Sequence, residues 1–325
     1  MKLCLITVLL AAAGIAEFRG PARLAASIKD PKAELLVYSN NGNDVGLLTK
    51  GAVLPLNLDT RLWVPGACCL HQATPSLSPD GGRIAYVHLS SVQPRQEKIK
   101  TYNRDSRQEG ELFQAETIWG IAWAPDGDHL AVIADKAPER THNLYLVDLR
   151  SNAFTQLSHG TLNLGDKQYT VSGHAPPSWS SSGKQLVIEV RTTGAQAENS
   201  GSSAVALWDT ETNEVRKLTD GVEPAWSPTK DLVAFFDSSR QECFTIRPDG
   251  GEKELLFALG KRGFASRSAR LFFPVVWSPD GNQLIFHQWV DADWVLDVYR
   301  LDLKRNKPEF LSRSEVQVVN WRIAK

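Results

Sequence analysis

Four cations with no acid among them, Lys261, Arg262, Arg267 and Arg270, share one short stretch with Phe264, Phe272 and Phe273. Arginine forks pair with carboxylates and phosphates, and aromatic rings supply apolar anchors, so this stretch has the chemistry to dock an acidic or anionic partner. The plainer alternative is a solvated loop held down by its aromatics. Further along, Trp289, Asp291, Asp293 and Trp294 set two indoles around two carboxylates, a group that can stack a sugar or a peptide side chain. The vicinal pair Cys68-Cys69, followed by His71, can shape a pocket or serve structure alone. His174 closes the segment 157–175, which also carries His159, Asp166, Lys167 and Tyr169.

No arrangement of catalytic type accompanies these residues. The chain has no Gly-x-Ser-x-Gly elbow, no His-Glu-x-x-His zinc helix, no glycine-rich phosphate loop and no regular aspartate loop for calcium. Its 7 histidines are scattered without ligand-like pairing. The expectation is a protein with no catalytic residue, no cofactor and no metal. Its partner contacts would come from Arg262, Phe264, Arg267, Arg270, Trp289, Trp294, Cys68, Cys69, His71 and His174. The competing expectation is an enzyme that gathers histidines and carboxylates from distant segments around a central channel.

Charge and composition narrow the partners. A formal net charge of -1 and a pI near 6.7 create no global field for nucleic acid or an anionic membrane, so any charge-driven contact must be local. With 42% hydrophobic residues, the chain of 325 can bury a substantial core. Residues 1–16 run from Lys2 through an apolar stretch to small residues, the layout of a secretory signal peptide cleaved after Ala16. An uncleaved membrane anchor is the alternative, although the stretch is short for a span of about 20 residues. The protein is therefore expected to be secreted or periplasmic and monomeric, with residues 17–33 a linker and 34–325 a single domain. Removal of the leader leaves Cys68, Cys69 and Cys243, an odd count whose pairing stays open.

What must position these residues is an internal repeat. Ser78-Pro79-Asp80-Gly81, Ala124-Pro125-Asp126-Gly127, Ser180-Ser181-Ser182-Gly183, Ser227-Pro228-Thr229-Lys230 and Ser278-Pro279-Asp280-Gly281 recur, each followed by a short apolar strand. Trp123, Trp179, Trp226 and Trp277 stand directly before four of these turns, and Trp321 marks a truncated last copy. From Leu77 and then tryptophan to tryptophan, the spacings are 46, 56, 47, 51 and 44 residues, the period of a propeller blade. Serine, proline and glycine occupy the positions a type I turn prefers. Two more strands follow in each unit, as in 143–149 and 154–157, so each is a four-stranded meander. Residues 34–64 carry strand-like pieces with no tryptophan strand ahead of them, and the C-terminal copy supplies it. The expectation is an all-β, six-bladed β-propeller of four-stranded blades, its last blade shared between N- and C-terminal strands, with almost no helix.

The Trp-Ser-Pro-Asp-Gly repeats, the following Gln283-Leu284-Ile285-Phe286 type of strand and the turn Arg247-Pro248-Asp249-Gly250-Gly251 resemble the propeller repeats of the TolB family, also called WD40-like repeats. The likeness covers residues 34–325. TolB itself is similar to an α/β domain followed by a propeller, and no such domain precedes residue 34 here, which argues against a role in the Tol envelope machinery. The turns fall on one face of such a ring, and the loops between second and third strands and between blades fall on the other. That second face, which carries all the candidate contacts, is expected to bind a protein, peptide or glycan. A small-molecule hydrolase or isomerase at the channel mouth and a structural part of an envelope complex are the competing functions.

Overall fold

The computed structural model describes residues 21–39, 45–56, 58, 73–193, 202–237, 239–258, 275–289, 295–314 and 316–323. Six sheets succeed one another around a closed ring. The first blade comprises Ser76–Leu77, Arg83–Val92, Arg95–Asn103 and Glu109–Ala115, from the innermost strand outwards. The second comprises Thr117–Trp123, His129–Lys136, Glu139–Asp148 and Phe154–Gln156. The third is built on Ser178–Trp179, Gln185–Thr192, Ser203–Asp209 and Val215–Asp220. The fourth comprises Val222–Trp226, Val233–Asp237, Glu242–Ile246 and Glu254–Ala258, and the fifth Val276–Trp277, Gln283–Trp289, Leu296–Asp302 and Lys307–Ser314. In the sixth, the C-terminal strand Val316–Ile323 lies innermost, followed by Ala33–Ser39, Val45–Thr49 and Ala52–Leu56. Leu35 pairs with Trp321 and Tyr38 with Gln317, so the two termini close the ring as the repeat count requires.

The repeated turn is held by its own side chains. In the first blade Ser78 Oγ donates to Asp80 at 2.5 Å, Gly81 N–H to the Ser78 carbonyl at 2.8 Å, and Arg83 N–H to Ser78 Oγ at 2.8 Å. Ser278 and Asp280 repeat the pattern in the fifth. These turns define one face, hereafter the turn face; the opposite one is the loop face.

Between blades the tryptophans fill the wedge. Trp123 packs with Ala85, Val87 and Phe113 of the preceding blade, Trp226 with Val187 and Val205, and Trp277 with Phe236 and Phe257. Burying an indole in this way contributes on the order of 2 to 3 kcal/mol. Trp179 Nε1 donates to the Ala122 carbonyl at 3.1 Å and Trp277 Nε1 to that of Ala225 at 3.0 Å, each reaching back one blade.

Two elements go beyond the meander. Within the stretch read as a linker, Pro21–Ser27 is an α-helix whose Leu24 and Ala25 are fully buried against Val276 and Val298 of the fifth blade and Leu35 and Leu48 of the sixth. Within the segment 157–175, Thr161–Leu164 and Lys167–Val171 form a hairpin that pairs with Gln185–Thr192 and lengthens the third blade.

Candidate ligand-binding face

Under the loop face, buried polar side chains hold four of the junctions between successive blades. Glu97 accepts the Ile118 N–H at 2.6 Å and a guanidinium N–H of Arg95 at 2.8 Å. Burial nevertheless raises its pKa, outweighing that backbone bond and the Arg95 charge. Glu189 accepts from Ser172 Oγ at 3.0 Å and from the Glu223 N–H of the fourth blade at 3.2 Å. Asn143 Oδ1 accepts from the Gly160 N–H at 2.8 Å, and Arg313 donates to Asp297 at 2.7 and 3.1 Å. Each anchors the point where a chain leaves one blade and enters another, so the loops above stand on fixed stems.

On this frame Trp119, Asp135 and His142 meet. Trp119 sits at a bulge in the innermost strand of the second blade, where the register shifts between Ile118 and Gly120. The bulge turns the indole toward its neighbours. Trp119 Nε1 donates to Asp135 Oδ2 at 2.9 Å, the other carboxylate oxygen lies 2.6 Å from His142 Nδ1, and the two rings are 4.5 Å apart. The His142 side chain is 32% exposed and the Asp135 side chain 16%. Gly173 packs so closely on the indole that a Cβ there would lie 2.8 Å from it. Asp135 thus fixes the imidazole while one edge of the cluster stays open to solvent, an arrangement that can stack a ring or pair with a polar group.

Of the residues singled out from the sequence, His174 lies exposed on this face, its N–H donating to Ser172 Oγ at 3.3 Å, one residue beyond the glycine that packs on Trp119. Trp289 ends its strand opposite Leu296. Arg262, Phe264, Arg267, Arg270, Trp294, Cys68, Cys69 and His71 lie outside the described residues. Cys243 is an unpaired thiol fully buried beside Phe236 and Phe257, and burial pushes its pKa up. Trp119, Asp135 and His142 escape a sequence reading because a strand register and a bulge bring them together. A cavity of about 830 Å³ also opens on this face, walled by the added hairpin at Asn163, Asp166 and Gln168 and by Thr192, Thr193 and Ser202. Among the described residues, no three His, Cys, Asp or Glu side chains are grouped to hold a metal ion, and no helix is long and apolar enough to cross a membrane.

No family model matches the chain, and no curated protein matches it in sequence. Solved structures do resemble it in fold. TolB from Acinetobacter baumannii superposes with a TM-score of 0.61 at 12% identity, covering 89% of this chain and 66% of that one. A putative TolB from Agrobacterium tumefaciens gives 0.57 at 15% identity, covering 87% and 90%. An oligogalacturonate lyase in complex with manganese gives 0.53 at 14% identity, covering 88% and 75%. The chain is a six-bladed β-propeller. Its architecture is that of the TolB propellers, and it spans just under two thirds of the Acinetobacter protein.

Proposed function

We propose that the chain is a secreted or periplasmic, noncatalytic propeller that binds a protein, peptide or glycan through its loop face. The observation that carries this reading is the Trp119–Asp135–His142 cluster, an aromatic pair clamped by a carboxylate and left partly open over rigid stems. Such pre-ordered aromatics contribute contact area at little entropic cost on binding. The basic stretch of Arg262, Phe264, Arg267 and Arg270, with Trp289 and Trp294, supplies further contacts in this proposal. The vicinal Cys68-Cys69, His71 and His174 complete the set.

Affinity capture from the native envelope or extracellular fraction tests it. A partner retained by the parent protein should be lost by Trp119→Ala, and by the triple change of Arg262, Arg267 and Arg270 to alanine, with circular dichroism unchanged. Loss on raising salt should accompany the arginine contact. The turn-face control Glu211→Ala should retain the partner. Equal capture by all variants would reject the loop face.

One observation favours a second reading, a small-molecule hydrolase or isomerase: Asp135 orients His142 as a carboxylate orients a general base. On that reading His142→Asn abolishes turnover of a substrate and leaves partner capture intact.

A further inference from the structure

The seam between the fifth and sixth blades is closed differently from its neighbours. Trp277 reaches back to the preceding blade's carbonyl, but its counterpart Trp321 is half-buried and its Nε1 has no acceptor among the described residues. Trp123 also lacks one, yet that ring is buried under the Arg83 guanidinium, 4.9 Å from its centroid. Trp321 instead lines a cavity of about 730 Å³ between the two blades, roofed by the residues that follow the helix Pro21–Ser27. Its floor is apolar, made by Leu35, Ile285, Leu311 and Trp321.

The rim bears four cations and four carboxylates, Lys29, Arg300, Arg305 and Lys307 against Asp30, Asp280, Asp302 and Glu309. The carboxylates, however, are committed elsewhere. Asp30 accepts the Lys32 N–H at 2.8 Å. Asp280 accepts Ser278 Oγ at 2.5 Å and the Asn282 N–H at 3.0 Å, and Asp302 accepts the Lys304 N–H at 2.9 Å and the Arg305 N–H at 3.3 Å. Glu309 is shared by Arg300 at 2.6 Å and Lys29 at 3.7 Å. The Arg305 side chain approaches Asp302 only to 4.0 Å, and Lys307 has no ion pair among the described residues. Lys307, and Arg305 apart from that long contact, therefore stand at the rim of an apolar floor without a close acceptor for their charge among the described residues.

We propose that this cavity binds a small amphiphilic carboxylate, its apolar chain or ring lying against Trp321 and Leu311 and its carboxylate held by Arg305 and Lys307. Two features of the site select this class. The floor rewards burial of apolar surface, and the spare donors reward an anion at one end. A cation would meet Lys307 and Arg305, and a neutral chain would gain nothing from them.

Isothermal titration with three probes of equal chain length, octanoate, octanol and octyltrimethylammonium, tests the site. Octanoate should bind with one-to-one stoichiometry, and the other two at least about tenfold more weakly. The paired charge reversal Arg305→Glu with Lys307→Glu, both exposed, should weaken octanoate by about tenfold or more without moving the thermal midpoint. Leu311→Trp, which fills the floor, should abolish binding of all three. No saturable octanoate heat, equal affinity for the three probes, or undiminished affinity in the charge-reversed protein would overturn the proposal. The cavity and the loop face are separate, so failure here leaves the loop-face reading standing.

Discussion

Gly81 shows how one atom can be required by a distant part of the chain. Its φ of +72° lies in the left-handed region, and a Cβ there would fall 0.7 Å from Arg322 Nη1. That guanidinium donates to the Asp80 carbonyl at 2.9 Å and pairs with the buried Glu34 at 3.2 Å, while Arg104 grips the same carboxylate at 3.1 and 3.2 Å. Gly127 takes the same conformation in the second blade, φ +77°, with nothing near its would-be Cβ. Gly127→Ala should therefore cost only the backbone term, about 1 kcal/mol. Gly81→Ala should cost about 1 to 2 kcal/mol more, because Arg322 must leave bonds made to a buried charge. Urea unfolding of the two variants compares them directly. His287 supplies a second prediction at this scale. It is fully buried, the Val318 N–H donates to its Nε2 at 2.9 Å, and burial lowers its pKa from 6.5 to about 3. The unfolded chain takes up this proton below about pH 6.5 while the folded one refuses it until about 3, so stability falls as pH drops across that window. Within the window the slope is about 1.4 kcal/mol per pH unit for one proton. Glu97, with its pKa raised, works in the opposite sense just above the ordinary carboxylate range. Comparing the stability-against-pH curves of the parent and His287→Gln cancels that contribution and isolates the histidine.

At the scale of elements, the helix Pro21–Ser27 acts as a plug in the seam the termini share. Leu24 is fully buried among Leu35, Leu48, Val276 and Val298, so Leu24→Ala should destabilise by about 2 to 4 kcal/mol. Thermal unfolding measures this, and a change below about 0.5 kcal/mol would show that the helix merely rests on the surface. Composition hid this element, because seven residues of Pro-Ala-Arg-Leu-Ala-Ala-Ser are too short to display a helical period. The hairpin of the third blade, by contrast, is legible in its residues. Thr161-Leu162-Asn163-Leu164 and Lys167-Gln168-Tyr169-Thr170 flank the two-residue loop Gly165-Asp166, with Leu164 opposite Lys167 and Gly165 at φ +69°. Alternation bears this out, since Leu162, Leu164, Tyr169 and Val171 face the core of the second and third blades. The Trp119–Asp135–His142 cluster had no such local signal. Its members come from three strands, and a bulge that no spacing rule marks decides which way Trp119 points.

For the whole molecule, the ring and its blade number follow from the repeated turns, because each tryptophan-turn strand buries its apolar face against a neighbouring unit. Closure puts the burden on one strand. Val316–Ile323 pairs with Ala33–Ser39, brings Val316 and Val318 into the seam beneath the helix, carries Arg322 to Glu34, and gives His287 its N–H donor. Removing residues 316–325 would strip these contacts together and leave the backbone edge of Ala33–Ser39 unpaired and apolar, a template for association. The truncated protein should lose its cooperative near-ultraviolet transition and elute as oligomers or aggregate. A synthetic peptide of residues 315–325 added in trans should restore the parent's elution, since backbone pairing and the Val316 and Val318 contacts need no covalent link to the fifth blade. Light scattering behind size exclusion reads both outcomes. A truncated chain that stays monomeric with an unchanged unfolding midpoint would mean that five blades hold their curvature unaided and that the shared sixth contributes no stability to the ring.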